Sequence, residues 1–267
     1  MLGTVTIALE AQNRGSLPAF PGRYLHAALF SILSHVDADE ATWWHDMEGI
    51  KPFTVQLSYK EPHQDNSIRR GDILYLHVSV WHSELWGLLE GVPDGLEVVF
   101  GRLRTTIIGI RYGAPFNLPL KVDNELELIG RRLSAKQAKC ITFDVMTPTS
   151  FHGTHGDITF PTSSLIFSSL VDKWNAGDMT DVLDKDLIRT VVEKVVLERW
   201  EGHTKRVFYG RDRGFTGFVG KFTFNISKLT EEENQLITIL ALFGQHCGIG
   251  RLSSQSLGQV RVTLQNK

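Results

Sequence analysis

Apolar and polar positions alternate from Thr4 to Leu9, the period of a half-buried strand. After the loop Asn13-Arg14-Gly15-Ser16-Leu17-Pro18 and the dipeptide Pro21-Gly22, the period lengthens. Leu25, Ala28, Leu29 and Ile32 then form the stripe of an amphipathic helix, with Arg23, His26 and Phe30 on its flank. A short helix is expected over Asp39 to Glu48, ended by Gly49. Strands are expected over Pro52 to Tyr59 and Ile73 to Val80, with the polar stretch Glu61 to Gly71 as a loop or hairpin tip between them. Trp81 to Glu90 reads as a helix, and Leu96 to Phe100 and Arg102 to Ile110 read as strands. The resulting order, β-α-β-β-α-β, is that of a ferredoxin-like unit.

The second half repeats the plan. Gly113 to Lys121 and the polar run Asn124 to Lys139 read as linker and hairpin. They divide the chain into residues 1–132 and 133–267. Lys139 to Val145 is a strand, Thr147 to Gly153 a loop, and a helix starts at Thr162 with Leu165, Ile166, Ser169, Leu170 and Trp174. Leu187 to Trp200 reads as a further helix or strand, and Lys205 to Gly210 and Phe215 to Phe224 as strands. Thr230 and Glu233 form a capping box for a helix with Leu236, Ile239, Leu240 and Phe243 on one stripe. In the last strand, Val260, Val262 and Leu264 alternate with Gln259, Arg261 and Thr263. The fold class is therefore α+β: two tandem ferredoxin-like (RRM-like, βαββαβ) domains. No residue-level repeat is visible, and the duplication rests on element order.

Composition narrows the class. The 267 residues suit two domains of about 130. A content of 42 % apolar and 22 % charged residues is that of a soluble globular chain. No run approaches the roughly 20 apolar residues of a membrane span, and the first residues lack a signal-peptide pattern. Cys140 and Cys247 have no metal-ligand spacing and read as buried thiols of a reducing cytoplasm. A net charge of −2 argues against indiscriminate coating of nucleic acid and leaves room for a local basic groove.

Candidate chemistry concentrates in three places. Between the last helix and strand runs Gly248-Ile249-Gly250-Arg251-Leu252-Ser253-Ser254-Gln255-Ser256-Leu257-Gly258. Such a loop lets a backbone approach a polyanion and turn bare N–H groups toward phosphates. It is not a P-loop, which needs a closing Gly-Lys-Ser/Thr, and not a dinucleotide turn, because Ser253 replaces the third glycine and only one strand follows. Arg23 and His26, three residues apart on a helix, can reach one phosphate, and His45 follows two tryptophans at the edge of a possible site. His152 and His155 fit no standard zinc set, and no metal or other cofactor is expected.

Taken in order, several segments resemble one family. They are Pro21-Gly22-Arg23-Tyr24-Leu25-His26-Ala27, Lys51-Pro52-Phe53-Thr54-Val55, Pro148-Thr149-Ser150-Phe151, Phe160-Pro161, Ser169-Leu170 through Trp174-Asn175, Gly217-Phe218-Val219-Gly220 and the final glycine loop. The chain is similar to the CRISPR-associated repeat-processing endoribonucleases of the Cas-six type. The resemblance implies two ferredoxin-like domains with a cleft between them and a glycine-rich loop that contacts RNA. It also implies metal-independent cleavage of CRISPR repeat RNA by 2′-OH attack, leaving 2′,3′-cyclic phosphate and 5′-OH ends.

Carried onto this sequence, the family's catalytic place falls on His45 as general base or acid, with His26 as partner and Arg23 as phosphate clamp. Gly248, Gly250, Arg251, Ser253, Ser254 and Gly258 become RNA contacts, and Lys205, Arg206, Arg211 and Arg213 a basic hairpin able to grip a stem. Where some relatives carry a serine after the first-helix histidine, this chain has Ala27, and Ser256 stands where a late loop glycine is common. The alternative is a subunit that holds guide RNA in an interference complex without cutting it, for which the histidine set would be unnecessary. Partners beyond the RNA stay open between none, other effector subunits and a second copy of the chain.

Overall fold

The computed structural model describes residues 1–63, 67–113, 137–208 and 214–266. In chain order the first unit runs β1 (Gly3–Ala11), β2 (Gly15–Ser16), α1 (Gly22–Leu33), α2 (Ala38–Asp46), β3 (Phe53–Tyr59), β4 (Ser67–Ile68), β5 (Ile73–Val80), α3 (Ser83–Glu90), β6 (Glu97–Phe100) and β7 (Leu103–Tyr112). The second runs β8 (Cys140–Thr149), β9 (Phe151–Gly153), β10 (Gly156–Ile158), α4 (Ser163–Asn175), α5 (Lys185–Val192), β11 (Val196–Phe208), β12 (Gly214–Asn225), α6 (Glu231–Cys247), a 3-10 turn (Ser253–Gln255) and β13 (Val260–Gln265).

Both main sheets are antiparallel. Their orders are β3-β5-β1-β7-β6 and β11-β12-β8-β13. Leaving out the edge strand β6, each places its first strand between its third and fourth, the ferredoxin-like arrangement. Register explains the first core. Val5, Ile7 and Leu9 face Val78, Leu76 and Leu74 across β1 and β5, so one face is continuous hydrocarbon under Leu25, Ala28, Leu29 and Ile32 of α1. Thr6 and His77 alternate onto the opposite face, where the Thr6 hydroxyl lies 3.0 Å from His77 Nδ1. The second core gathers Ile141, Phe143, Phe222 and Phe224 of the sheet under Ile166, Phe167 and Leu170 of α4.

The two units are joined through α6. The Thr230–Glu233 capping box starts it as the sequence predicts. Leu240 and Phe243 are fully buried, but so are Ile237, Thr238, Ala241 and Gly244. A single apolar stripe is thus too narrow a description, because α6 is covered by its own sheet and by the first unit. Trp81, at the end of β5, sits 5.6 Å from the Phe243 ring and donates its indole N–H to the Lys173 carbonyl at 2.8 Å. Leu2 and Trp81 therefore belong to the second core although they lie in the first unit of sequence. The Thr54 hydroxyl donates to the His246 carbonyl at 2.8 Å.

Other expectations need correction. Leu187 to Trp200 is neither one helix nor one strand: α5 ends at Val192 and β11 begins at Val196. That strand absorbs Lys205 and extends through a long hairpin with β12. The stretch read as a loop from Thr147 continues β8 to Thr149, paired with Phe218. Cys247 is buried as expected, whereas Cys140 is half-buried at the sheet end, with Sγ 3.4 Å from a Glu198 carboxylate oxygen. The boundary expected at residues 132 and 133 falls outside the described residues. Among the described residues no helix is long and apolar enough to cross a membrane.

Candidate nucleic-acid cleft

A cleft of about 670 Å³ opens between the two units. One wall carries His26, His45, Gly49, Ile50 and Lys51, and the other carries Phe151, His152, Ser168, Ser169, Asp172, Lys173 and Gly250 through Gln255. Histidines from two N-terminal helices thus face the glycine-rich loop near the C-terminus.

The histidine wall is built locally. His26 projects from α1 one turn before Phe30, and the two rings lie 4.9 Å apart. His45 lies in the last turn of α2, with its ring 5.1 Å from Phe30 and 5.8 Å from His26. Phe30, placed on the helix flank by the sequence pattern, is buried, and its ring contacts both imidazoles, which also meet each other edge to face. The Asp37 side chain caps α2 by accepting the Glu40 N–H at 2.9 Å. The other end is held by Lys51, whose ammonium donates to the carbonyls of Trp44, His45 and Met47 at 2.8, 2.7 and 3.0 Å. The last carbonyls of a helix lack internal partners, and a lysine is suited to take them. Lys51 was not among the expected site residues. Its position just beyond Gly49, within side-chain reach of the helix end, was the available signal.

His45 Nδ1 lies 2.8 Å from the Asp46 carboxylate. With the proton on Nδ1 donating to that acceptor, Nε2 is left as the basic nitrogen. His26 differs. Burial first, then the positive field of His45, Lys51 and Arg23, lowers its pKa to about 4, so near pH 7 it is neutral. Lys51 is lowered by burial, with the Asp46 charge opposing. Arg23 is exposed on the first turn of α1 and is not part of the cleft lining, although His26 feels its charge.

The loop wall corrects the expected role of the glycines. Their N–H groups are already used: Gly248 donates to Gly244 O at 2.8 Å, Gly250 to the Ser169 hydroxyl at 2.9 Å, and Gly258 to Pro148 O at 3.2 Å. What requires glycine is internal packing. At Gly258, with φ +68°, an added Cβ would stand 1.9 Å from the Ile249 carbonyl oxygen. Gly248 and Gly258 lie outside the cleft lining, whereas Gly250, Arg251, Ser253 and Ser254 are in it. The N–H groups of Leu252, Ser253 and Ser254 meet no acceptor among the described residues. They follow a left-handed Leu252, a conformation that turns successive N–H groups the same way. Arg251 pairs with Asp157 of β10. Ser256 adopts φ +64° and donates its hydroxyl to the Val55 carbonyl at 2.6 Å, which fastens the loop to β3.

Lys173 is fully buried behind the loop and donates to the carbonyls of Cys247 and Gly248 at 3.1 and 3.0 Å. Burial lowers its pKa to about 8. Its position inside an apolar helix pattern gave no sequence signal. His152 lines the cleft, while His155 does not. No group of three or more His, Cys, Asp or Glu among the described residues could hold a metal ion. Lys205 and Arg206 are exposed on the β11–β12 hairpin and do not line the cleft, although the next residue, Val207, clusters with Leu257 and Leu252 of the loop, and Arg211 and Arg213 lie outside the described residues.

Fold and cleft define a double ferredoxin-like protein with paired histidines opposite a fastened glycine loop. Residues 143–260 match the model of a family described as CRISPR-associated endoribonuclease Cas6. Similar solved structures include a Cas6 product complex, with a TM-score of 0.76 and 22 % identity, covering 98 % of this chain and 99 % of that one. Another is Thermus thermophilus Cas6, with a TM-score of 0.69 and 20 % identity over 98 % of both chains. A Cas6-related protein from Pyrococcus furiosus follows, with a TM-score of 0.59 and 16 % identity over 98 % of this chain and 99 % of that one. No curated protein matches in sequence. The chain thus resembles the Cas6 endoribonucleases in the sequence of its second unit and in the fold of both.

Proposed function

We propose that the protein is a Cas6-type endoribonuclease that cuts CRISPR repeat transcripts once per repeat in the interdomain cleft. The observation that carries this reading is that His26 and His45 share one cleft with Gly250 through Gln255. A phosphodiester entering there would meet imidazoles on one side and the glycine-rich loop, with the N–H groups of Leu252 to Ser254, on the other.

In the proposed reaction the ribose 2′-OH attacks the adjacent phosphorus. His45 Nε2 takes its proton, with Asp46 holding the tautomer and stabilising the imidazolium that forms. The P–O5′ bond breaks, giving a 2′,3′-cyclic phosphate and a 5′-OH. His26 is neutral in the free protein, but a bound phosphate reverses the local field and raises its pKa. Protonated in the complex, His26 gives its proton to the departing 5′ oxygen. Arg23 and the N–H groups of Leu252 to Ser254 stabilise the charge gathered on the phosphorane. Proton transfer and charge stabilisation are thereby assigned to protein groups alone, and the reaction is expected to proceed in EDTA.

The test is cleavage of the host's repeat RNA in EDTA, beside a copy with a 2′-deoxy at the scissile position. The wild type should cut only the first. His45→Ala should slow cleavage by about 10²–10⁴-fold while retaining binding, the range for loss of a general base. Full activity in that variant would remove His45 from the mechanism, and tight binding without cleavage by the wild type would favour the non-cutting guide-RNA subunit.

A further inference from the structure

A second cavity, of about 540 Å³, lies in the first unit on the flank of α1 away from His26. Arg14, Gly15, Ser16, Tyr24, Ser67, Gly101 and Arg102 are among its lining residues. Tyr24 and His26 sit on either side of the buried Leu25, so the two cavities flank one helix, separated by about its ~10 Å diameter. Arg23 is exposed on the turn between them.

We propose that this cavity is a subsite for one unpaired nucleotide of the substrate strand, whose base stacks on Tyr24 and whose flanking phosphates meet Arg14 and Arg102. The proposal rests on the endoribonuclease reading and extends it to the strand leaving the cleft over the first turn of α1.

Three observations support it. Tyr24 keeps 42 % of its surface exposed, an open π-face rather than a core ring. Its position is fixed: the ring lies against Gly101, where an added Cβ would stand 2.7 Å from Tyr24 Cε1. Arg14 and Arg102 are exposed and form no ion pair among the described residues, so their charge is not already neutralised there. The loops that carry them are tied together by Asn13, which donates to Arg102 O at 3.0 Å and accepts from the Arg104 N–H at 2.8 Å. A fixed aromatic flanked by two guanidiniums is the combination that holds single-stranded RNA, with stacking for the base and cations for the backbone. Ser16, also in the lining, adds an exposed hydroxyl for the base edge.

The experiment measures binding of the full protein to the host's repeat RNA, made uncleavable by a 2′-deoxy at the scissile position and shortened one nucleotide at a time from either end. Tyr24→Ala should weaken binding of the full RNA by about tenfold, within the range for loss of one base–aromatic stack. Tyr24→Phe should bind as the wild type does. Arg14→Ala with Arg102→Ala should lower the slope of log affinity against log salt by about 1.4, the value for two single-strand phosphate contacts. Once the nucleotide that occupies the cavity is removed, all variants should match the wild type, which also verifies that they are folded. Unchanged affinity for the full RNA, or an equal loss at every length, would overturn the subsite. Saturation of the cavity by adenosine monophosphate as tightly as by RNA would also overturn it, in favour of a free-nucleotide site. Failure of the wild type to bind repeat RNA at any length would instead overturn the endoribonuclease reading, and the subsite with it.

Discussion

His26 gives the sharpest test of the cleft's electrostatics. Its pKa falls from 6.5 to about 4 because burial and the neighbouring positive charges disfavour the imidazolium. In the unfolded chain the ring titrates near its ordinary value. Between these two values the unfolded state binds more protons, so stability rises with pH through the window from about 4 to 6.5 and is flat above it. Acidification from pH 7 should therefore cost, through this one group, about 2 kcal/mol by pH 5 and about 3 kcal/mol by pH 4. His26→Gln keeps a polar side chain without the titration, so the gap between wild type and variant should shift in the variant's favour by these amounts. Urea unfolding at pH 7, 6, 5 and 4.5 reads the gap directly. NMR titration of the His26 ring should place its midpoint near 4 in the free protein. Uncleavable repeat RNA should move that midpoint upward, because the proposed acid role requires a phosphate to recharge the ring. A free-state midpoint near 6.5, or a gap that does not change with pH, would refute the argument.

Two further outcomes follow from the walls of the cleft. Lys51→Met removes the three contacts that close the end of α2, so unfolding should cost about 1–3 kcal/mol less. Cleavage should fall with it because His45 sits on that final turn; an unchanged melting temperature would contradict the capping role. Gly22→Val should drive α1 away from the glycine loop, since a Cβ there would lie 1.9 Å from the Gln255 carbonyl oxygen. A lower melting temperature and weaker cleavage are expected, and wild-type values in both would show that the contact yields without consequence.

The periodicities located most elements because local chemistry decides them. The stripe of α1 is buried as its spacing requires, and the Thr230–Glu233 box is made within four residues of chain. Two strand-helix orders of the same kind were enough to suggest two ferredoxin-like units, because few packings satisfy that order. Where two kinds of element met inside one amphipathic run, as from Leu187 to Trp200, the pattern could not place the break at Val192. Nor could it show that α6 is buried on several sides, since burial by the other unit leaves no periodic trace.

The sequence by itself determined the elements, their order, the residue types fit for RNA chemistry and the glycine loop as a special segment. The tertiary structure decided which of those residues meet. It set His26 and His45 in contact with each other and with Phe30, brought in Lys51, Lys173 and His152, and left Arg23 outside the cleft lining. It also showed the loop glycines serving the loop's own packing, while the N–H groups of Leu252 to Ser254 meet no acceptor among the described residues. Capping and amphipathic stripes act over a few residues. A cleft joins side chains more than 200 positions apart, through contacts such as Ser256 on Val55, and only the docking of one unit against the other specifies them.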